Sequence, residues 1–186
     1  MSRDAPDRKL RYGWTTGACA AAAARGAYEG LRTGRFSEAV TITLPKGQQP
    51  SFTLVETSCG ADWAQAGIVK DAGDDPDVTH GATVLTHIVP GPVGSGVQFR
   101  AGEGVGTITR AGLPLPPGEP AINPAPRAMI IAALAEAVTR FGGNLDLVVT
   151  ISIPGGATLA LKTLNGRLGI VGGLSILGTT GIVVPF

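Results

Sequence analysis

Carboxylates crowd one short stretch of this chain: Asp71, Asp74, Asp75 and Asp77 fall within Val69–Gly81, followed closely by Thr79 and His80. Carboxylates held this close raise one another's pKa, which suits an acid or base working near neutral pH, and histidine titrates in that range. Asp and Pro are also turn formers, so a plain acidic surface turn accounts for the same run. A calcium loop is a third reading, but the full EF-hand spacing and its closing Glu are missing. Glu103 stands between glycines in Gly102-Glu103-Gly104-Val105-Gly106. That spacing resembles a phosphate-binding loop, yet an acidic residue there repels phosphate and no Rossmann strand order surrounds it. A carboxylate on such a turn suits a hydrogen bond to a ribose or a ring nitrogen, and Glu119, ahead of Pro120, is similar.

Two helices and several hairpins must position these groups. The sequence predicts a helix over Thr15–Leu31, with Thr15 and Thr16 as N-caps, a nearly pure alanine run from Cys19 to Ala24, and Gly30 or Gly34 as its stop. Val40–Leu44 and Ser51–Val55 form a hairpin around Pro45–Gln49. Ala66–Lys70 is a short apolar run, Ala82–Val89 is strongly β-like with Val97–Arg100 as its partner, and Val105–Arg110 is a further strand. Asn123 caps a second helix that runs to Phe141, with Pro124 at its first position and Ile130, Leu134 and Val138 at helical spacing. Leu147–Ile153 and Thr158–Lys162 are expected as a second hairpin turning at Pro154-Gly155-Gly156. Hairpins outweigh βαβ units, which predicts an α+β fold: a mixed, mostly antiparallel sheet with two main helices packed on one face.

Composition bounds the partners. Hydrophobic residues make up 44% and charged residues 16%, at a formal net charge of +1. Such a chain buries a core and lacks the strongly basic face that nucleic acid requires, so no nucleic-acid partner is expected. No segment reads as a signal peptide or a membrane span; the apolar stretch Leu168–Phe186 is broken by glycines and a proline. Arg3, Arg8, Lys9 and Arg11 make a small basic start, read as a solvated tail rather than a flap over an anionic ligand. Cys19 and Cys59 form no CxxC pair and have no histidine at ligand spacing, so no protein metal site is expected. Reduced thiols in a cytoplasmic protein are a simpler reading than a disulfide. Cys19 is expected to be buried in the alanine-rich helix, with no base to make it a nucleophile.

In order along the chain stand Gly13-Trp14-Thr15-Thr16-Gly17-Ala18-Cys19-Ala20, the acidic run Val69–Gly81, Gly102-Glu103-Gly104-Val105-Gly106-Thr107, Gly118-Glu119-Pro120-Ala121-Ile122-Asn123-Pro124 with Arg127, and the glycine-rich Leu168–Gly181. Together these segments resemble the cobalt-precorrin-5B C1-methyltransferase family, the CbiD type. The resemblance implies transfer of a methyl group from S-adenosylmethionine to C1 of a cobalt-containing corrinoid precursor in cobalamin biosynthesis, with cobalt arriving only as part of the substrate. It implies Asp75, His80 and Glu103 as catalytic residues, since methylating a carbon gains from a base that removes or relays a proton. The substrate is a polyanion. Thr15, Thr16 and Asn123 at the two helix starts, with Arg127 as a bidentate clamp, are the expected substrate-binding residues. Gly172, Gly173, Ser175, Thr179 and Thr180 are the expected contacts to S-adenosylmethionine. Family chains continue into another α/β domain, so residues 1–165 are expected as the corrinoid-binding domain and 166–186 as the glycine-rich lead into a further one. The rival readings are a non-catalytic corrinoid-binding or assembly module and a phosphate-using transferase or kinase. A homo-oligomer is compatible with the sequence.

Overall fold

The computed structural model describes residues 8–186; Arg3 of the basic start lies outside them. In chain order the elements are β1 Gly13–Trp14, α1 Thr16–Thr33, β2 Ala39–Thr41, β3 Ser51–Thr53, β4 Val55–Cys59, β5 Ala64–Val69, β6 Thr83–Pro90, β7 Val97–Ala101, β8 Thr107–Ile108, α2 Pro124–Phe141, β9 Leu147–Ser152, α3 Gly156–Ala160, α4 Asn165–Leu168, β10 Ile170–Val171 and β11 Ile182–Val183. The main sheet has the order β4-β5-β6-β9-β7, antiparallel except for the parallel β7–β9 pair. Small two-stranded pairs join β1 to β11, β2 to β3 and β8 to β10. This is the α+β, mostly antiparallel architecture the sequence predicts.

Strand alternation decides which face is covered. Val84, Thr86 and Ile88 of β6 are buried, and register places them beside Ile68, Ala66 and Ala64 of β5. On the other side Ile151 and Val149 of β9 lie opposite Thr86 and Ile88. The alternate residues Leu85, His87 and Val89 are only half-buried, so one face is packed and the other is partly open.

Helix α1 covers the packed face at β5 and β6. Its residues Ala18 to Ala24 are essentially inaccessible because methyl-sized side chains let the sheet and the neighbouring helix approach on every side. The buried Thr86 hydroxyl donates to the carbonyl of Ala20 at 3.1 Å, a bond that only so close a helix permits. Helix α2 runs parallel to α1. Gly17 abuts Pro126 and Met129 at one end, Arg25 pairs with Glu136 at 2.6 Å midway, and the Tyr28 hydroxyl donates to the Gly142 carbonyl at the other. Both helices therefore begin at the same end of the molecule. Thr15 caps α1, its Oγ1 accepting the Ala18 N–H at 3.1 Å, and Gly34 stops it in the left-handed region.

Some local expectations change. Val97–Arg100 does not pair with β6, because β9 occupies that place and β7 lies parallel beyond it. The Asp146 carboxylate accepts the N–H groups of Gly94 and Gly96, both at 2.9 Å, and this ties the β6–β7 loop to the start of β9. Thr158–Lys162 is not a strand. With β6 and β7 on its two sides, β9 has no free edge to offer, and the chain turns at Gly155 into the short helix α3. The strand expected over Val105–Arg110 shrinks to β8, and Val105 makes only an isolated bridge to Leu174. Residues 166–186 are woven into this same body: β10 pairs with β8, Leu174 and Ile176 are buried in the core, and β11 pairs with β1.

The cysteines are both free thiols. Burial pushes the Cys19 thiol up to about 12, so it should resist iodoacetamide at pH 8 while the more accessible Cys59 is modified. Intact-mass analysis should give one adduct on the native protein and two after denaturation.

Candidate functional site

The first helix, the acidic loop and the glycine-rich segment meet at one cavity of about 390 Å³. Its walls include Thr15 and Thr16 from the start of α1, Lys70, Asp77 and Thr79 from the acidic loop, and Ser175, Leu177 and Gly178. Asn165 closes the inner side; its amide donates to the Gly173 carbonyl at 3.2 Å, and the Ser175 hydroxyl lies 3.3 Å from its Oδ1.

Backbone interlocking builds these walls. The N–H of Gly17 donates to the Leu177 carbonyl at 3.2 Å, and that of Thr15 donates to Gly181 at 2.9 Å. On the α2 side, Asn123 N–H donates to Ile176 at 3.1 Å. Gly178 lies against Thr15, where a Cβ would have no room. The acidic loop is fixed at its other end by Arg11, which makes a bidentate pair with Asp71 at 2.6 and 3.0 Å and donates its N–H to Asp74 at 2.6 Å. The hydrogen bond from Arg11 holds the Asp71 carboxyl below its ordinary value.

Lys70 is the residue that sequence reasoning missed. Only 3% of its side chain is exposed, yet it lines the cavity, with Nζ donating to Asp77 Oδ2 at 2.7 Å and to Thr79 Oγ1 at 2.5 Å. Asp77 Oδ1 accepts the Thr79 N–H at 2.8 Å and its hydroxyl at 2.6 Å. Burial alone would raise the Asp77 carboxyl; the bonds from Lys70 and Thr79 outweigh it and hold the group below the usual carboxylate range. The available signal was a lone lysine closing an apolar strand seven residues ahead of an aspartate.

The residues singled out in the sequence divide. Thr15, Thr16 and Ser175 line the cavity. Asp75 and His80 do not: His80 is exposed, and its Nδ1 accepts the Ala72 N–H at 3.0 Å, which assigns the ring proton to Nε2. Glu103 is exposed on its turn, and its carbonyl accepts the Ile153 N–H at 2.7 Å. Asn123 occupies the N-cap position of α2 without a side-chain capping bond. Arg127 is engaged within the chain, donating to the carbonyls of Ile122 at 2.7 Å and Pro120 at 3.1 Å and to Glu119 at 2.9 Å, while it stacks 5.1 Å from the Phe99 ring centre. It borders a separate, more polar groove with Gln98, Arg100 and Glu119. Thr179 faces a third cavity beside Met129 of α2, and Thr180 makes a local turn with Ile182. Gly173 is packed on Gly104. Gly172 is exposed with φ +94. No cluster of ligating side chains able to hold a metal occurs among the described residues.

The glycines around Glu103 have a packing role. A Cβ on Gly104 would run into the Ile153 carbonyl and come within 2.9 Å of the Gly156 nitrogen, and one on Gly156 or Gly173 would collide with Gly104. Three backbone segments cross there at the closest approach a chain allows, which accounts for the pattern without a phosphate.

An alanine-rich helix lying on a mixed sheet, closed by a glycine-rich segment over a cavity, defines an α+β body with a lined cavity at the start of α1. The CbiD family model matches residues 3–185, and the chain belongs to the CbiD family. It is 63% identical over 183 residues to a protein of Bradyrhizobium sp. (strain BTAi1) named cobalt-precorrin-5B C(1)-methyltransferase, covering 98% of this chain and 49% of that one. The protein of the same name from Brucella anthropi is 59% identical over 96% of this chain and 48% of its own. The chain thus spans about half the length of the curated relatives it matches. A crystal structure of the cobalamin biosynthesis protein cbiD from Archaeoglobus fulgidus superposes with a TM-score of 0.74 at 33% identity, over 95% of this chain and 55% of that one.

Proposed function

We propose that this chain forms part of a cobalt-precorrin-5B C1-methyltransferase acting in cobalamin biosynthesis. The observation that carries the reading is 63% identity across 98% of the chain to a protein of that name. In the proposed reaction the electron pair at C1 of the corrinoid precursor forms the new bond to the methyl carbon as the sulfur–methyl bond of S-adenosylmethionine breaks, leaving S-adenosylhomocysteine. The sulfonium is already activated, so aligning sulfur, methyl and carbon is the main task of the protein.

Thr15, Thr16 and Ser175 at the cavity are the contacts we assign to ligand, with residues 1–165 and the segment 166–186 that is woven into them together forming the corrinoid-holding body. His80 leaves Nε2 without a partner among the described residues and is the candidate for moving a proton. The protein works in the cytoplasm, in keeping with its free thiols. No helix among the described residues is long and apolar enough to cross a membrane.

Calorimetric titration with S-adenosylhomocysteine, alone and with a corrinoid, tests this. Micromolar binding of both is the expected result. Corrinoid binding without the nucleoside favours the binding-module reading. Binding of neither overturns the proposal.

A further inference from the structure

We infer that the cavity at the start of α1 is a carboxylate subsite, with Lys70 as its anchor and an apolar collar for the body that carries the acid. The inference rests on the methyltransferase reading only for the source of that carboxylate. Several observations point the same way. Two of the three N–H bonds of the Lys70 ammonium are taken, by Asp77 and Thr79, and no third acceptor occurs among the described residues. Thr16 is 6% exposed, lines the same cavity, and its hydroxyl has no hydrogen-bond partner among the described residues. Asp77 offers little to a cation: Oδ2 is taken by Lys70, and Oδ1 by the N–H and hydroxyl of Thr79. The cavity therefore presents donors, at the positive end of an eighteen-residue helix.

The mouth is of the opposite character. Val78, Leu164 and Leu177 line it and are 38%, 63% and 50% exposed. Apolar side chains left open around a buried cation match a ligand that joins a carboxylate to an apolar surface. At about 390 Å³ the cavity accepts an acid arm and the adjoining edge of a larger body, not a whole macrocycle. Two sources share that chemistry: an acetate or propionate arm of the corrinoid, and the amino-acid end of the methyl donor.

The test uses the full chain and paired probes. Cobyrinic acid has free carboxylate arms and cobinamide has amidated ones; S-adenosylhomocysteine has an amino-acid end and 5′-methylthioadenosine has none. Propionate alone, followed by chemical shifts of Thr16 and Thr79, reports on the subsite without either large ligand. The variant Lys70→Met/Asp77→Asn removes the anchor without leaving an orphan charge and keeps an oxygen for Thr79. Losing Asp77 also favours an anion, so a fall in affinity is assigned to Lys70. Leu177→Glu sets a carboxylate at the exposed mouth and leaves the core untouched.

The expected result is at least a tenfold loss with the double variant and about fivefold with Leu177→Glu, for one acid-bearing probe and not for its acid-free partner; which pair responds identifies the source. Equal binding by wild type and both variants overturns the subsite while leaving the methyltransferase reading in place. Propionate shifts with no corrinoid or nucleoside binding keep the subsite and remove that reading. No binding of any probe removes both.

Discussion

Gly104→Ala should cost about 4 kcal/mol or more, a large share of a typical domain stability of roughly 5–15 kcal/mol. Two penalties act together. The residue has φ +74, and its Cβ would meet the Ile153 carbonyl and the Gly156 nitrogen, both of them backbone that cannot rotate away. Any relief must part the crossing of the Gly104, Gly156 and Gly173 segments and, with it, the bond from Leu174 N–H to the Gly104 carbonyl at 2.8 Å. Gly112→Ala is the control: φ is +98 but nothing lies within 4 Å, so only the conformational cost of about 1–2 kcal/mol remains. Urea unfolding followed by circular dichroism separates the two. Similar midpoints for both variants would show that the crossing yields easily, contrary to this account.

Asp77→Asn should cost about 3 kcal/mol, because it leaves the Lys70 ammonium, 3% exposed, facing an amide where it had a carboxylate. The asparagine retains an oxygen for the two Thr79 bonds, so the loss falls on the ion pair. Lys70→Met/Asp77→Asn should recover more than half of it, since a neutral pair carries no buried charge. A cycle over the two positions then gives the coupling. Acidity gives a second reading of the same group. The folded Asp77 carboxyl lies below its unfolded value of about 3.9, so its contribution is fully present above that pH and is lost as pH falls through the folded value. Asp71 acts in the same direction. Below about pH 4 the stability of wild type should therefore fall more steeply than that of Asp77→Asn. Parallel acid limbs would mean that the pair does not hold the loop.

Local chemistry was legible where it is decided locally. Thr15 before an alanine run and Asn123-Pro124 before an apolar period mark the two helix starts because capping and proline geometry depend on neighbours in sequence. The place of β7 was not legible: it depends on β9, which the chain reaches only after α2. Thr158–Lys162 alternates like a strand, but β9, its expected partner, had no edge open to receive it. The site followed the same rule. Thr15, Thr16 and Ser175 belong to segments whose composition is unusual. Lys70 becomes notable only when the fold buries its ammonium, and the glycines around Glu103 look like a ligand loop until the backbone crossing beneath them is seen.

The pairing of Gly13 with Val183 also sets a timetable for synthesis. Helix α1 leaves the ribosome well before the segment that completes its cavity. At about 5–20 residues per second the interval between β1 and β11 is roughly 8–34 s. Throughout it the alanine-rich helix has neither its far wall nor its closing strand. A chain that stops before Gly178 lacks both that part of the cavity wall and the strand that pairs with β1.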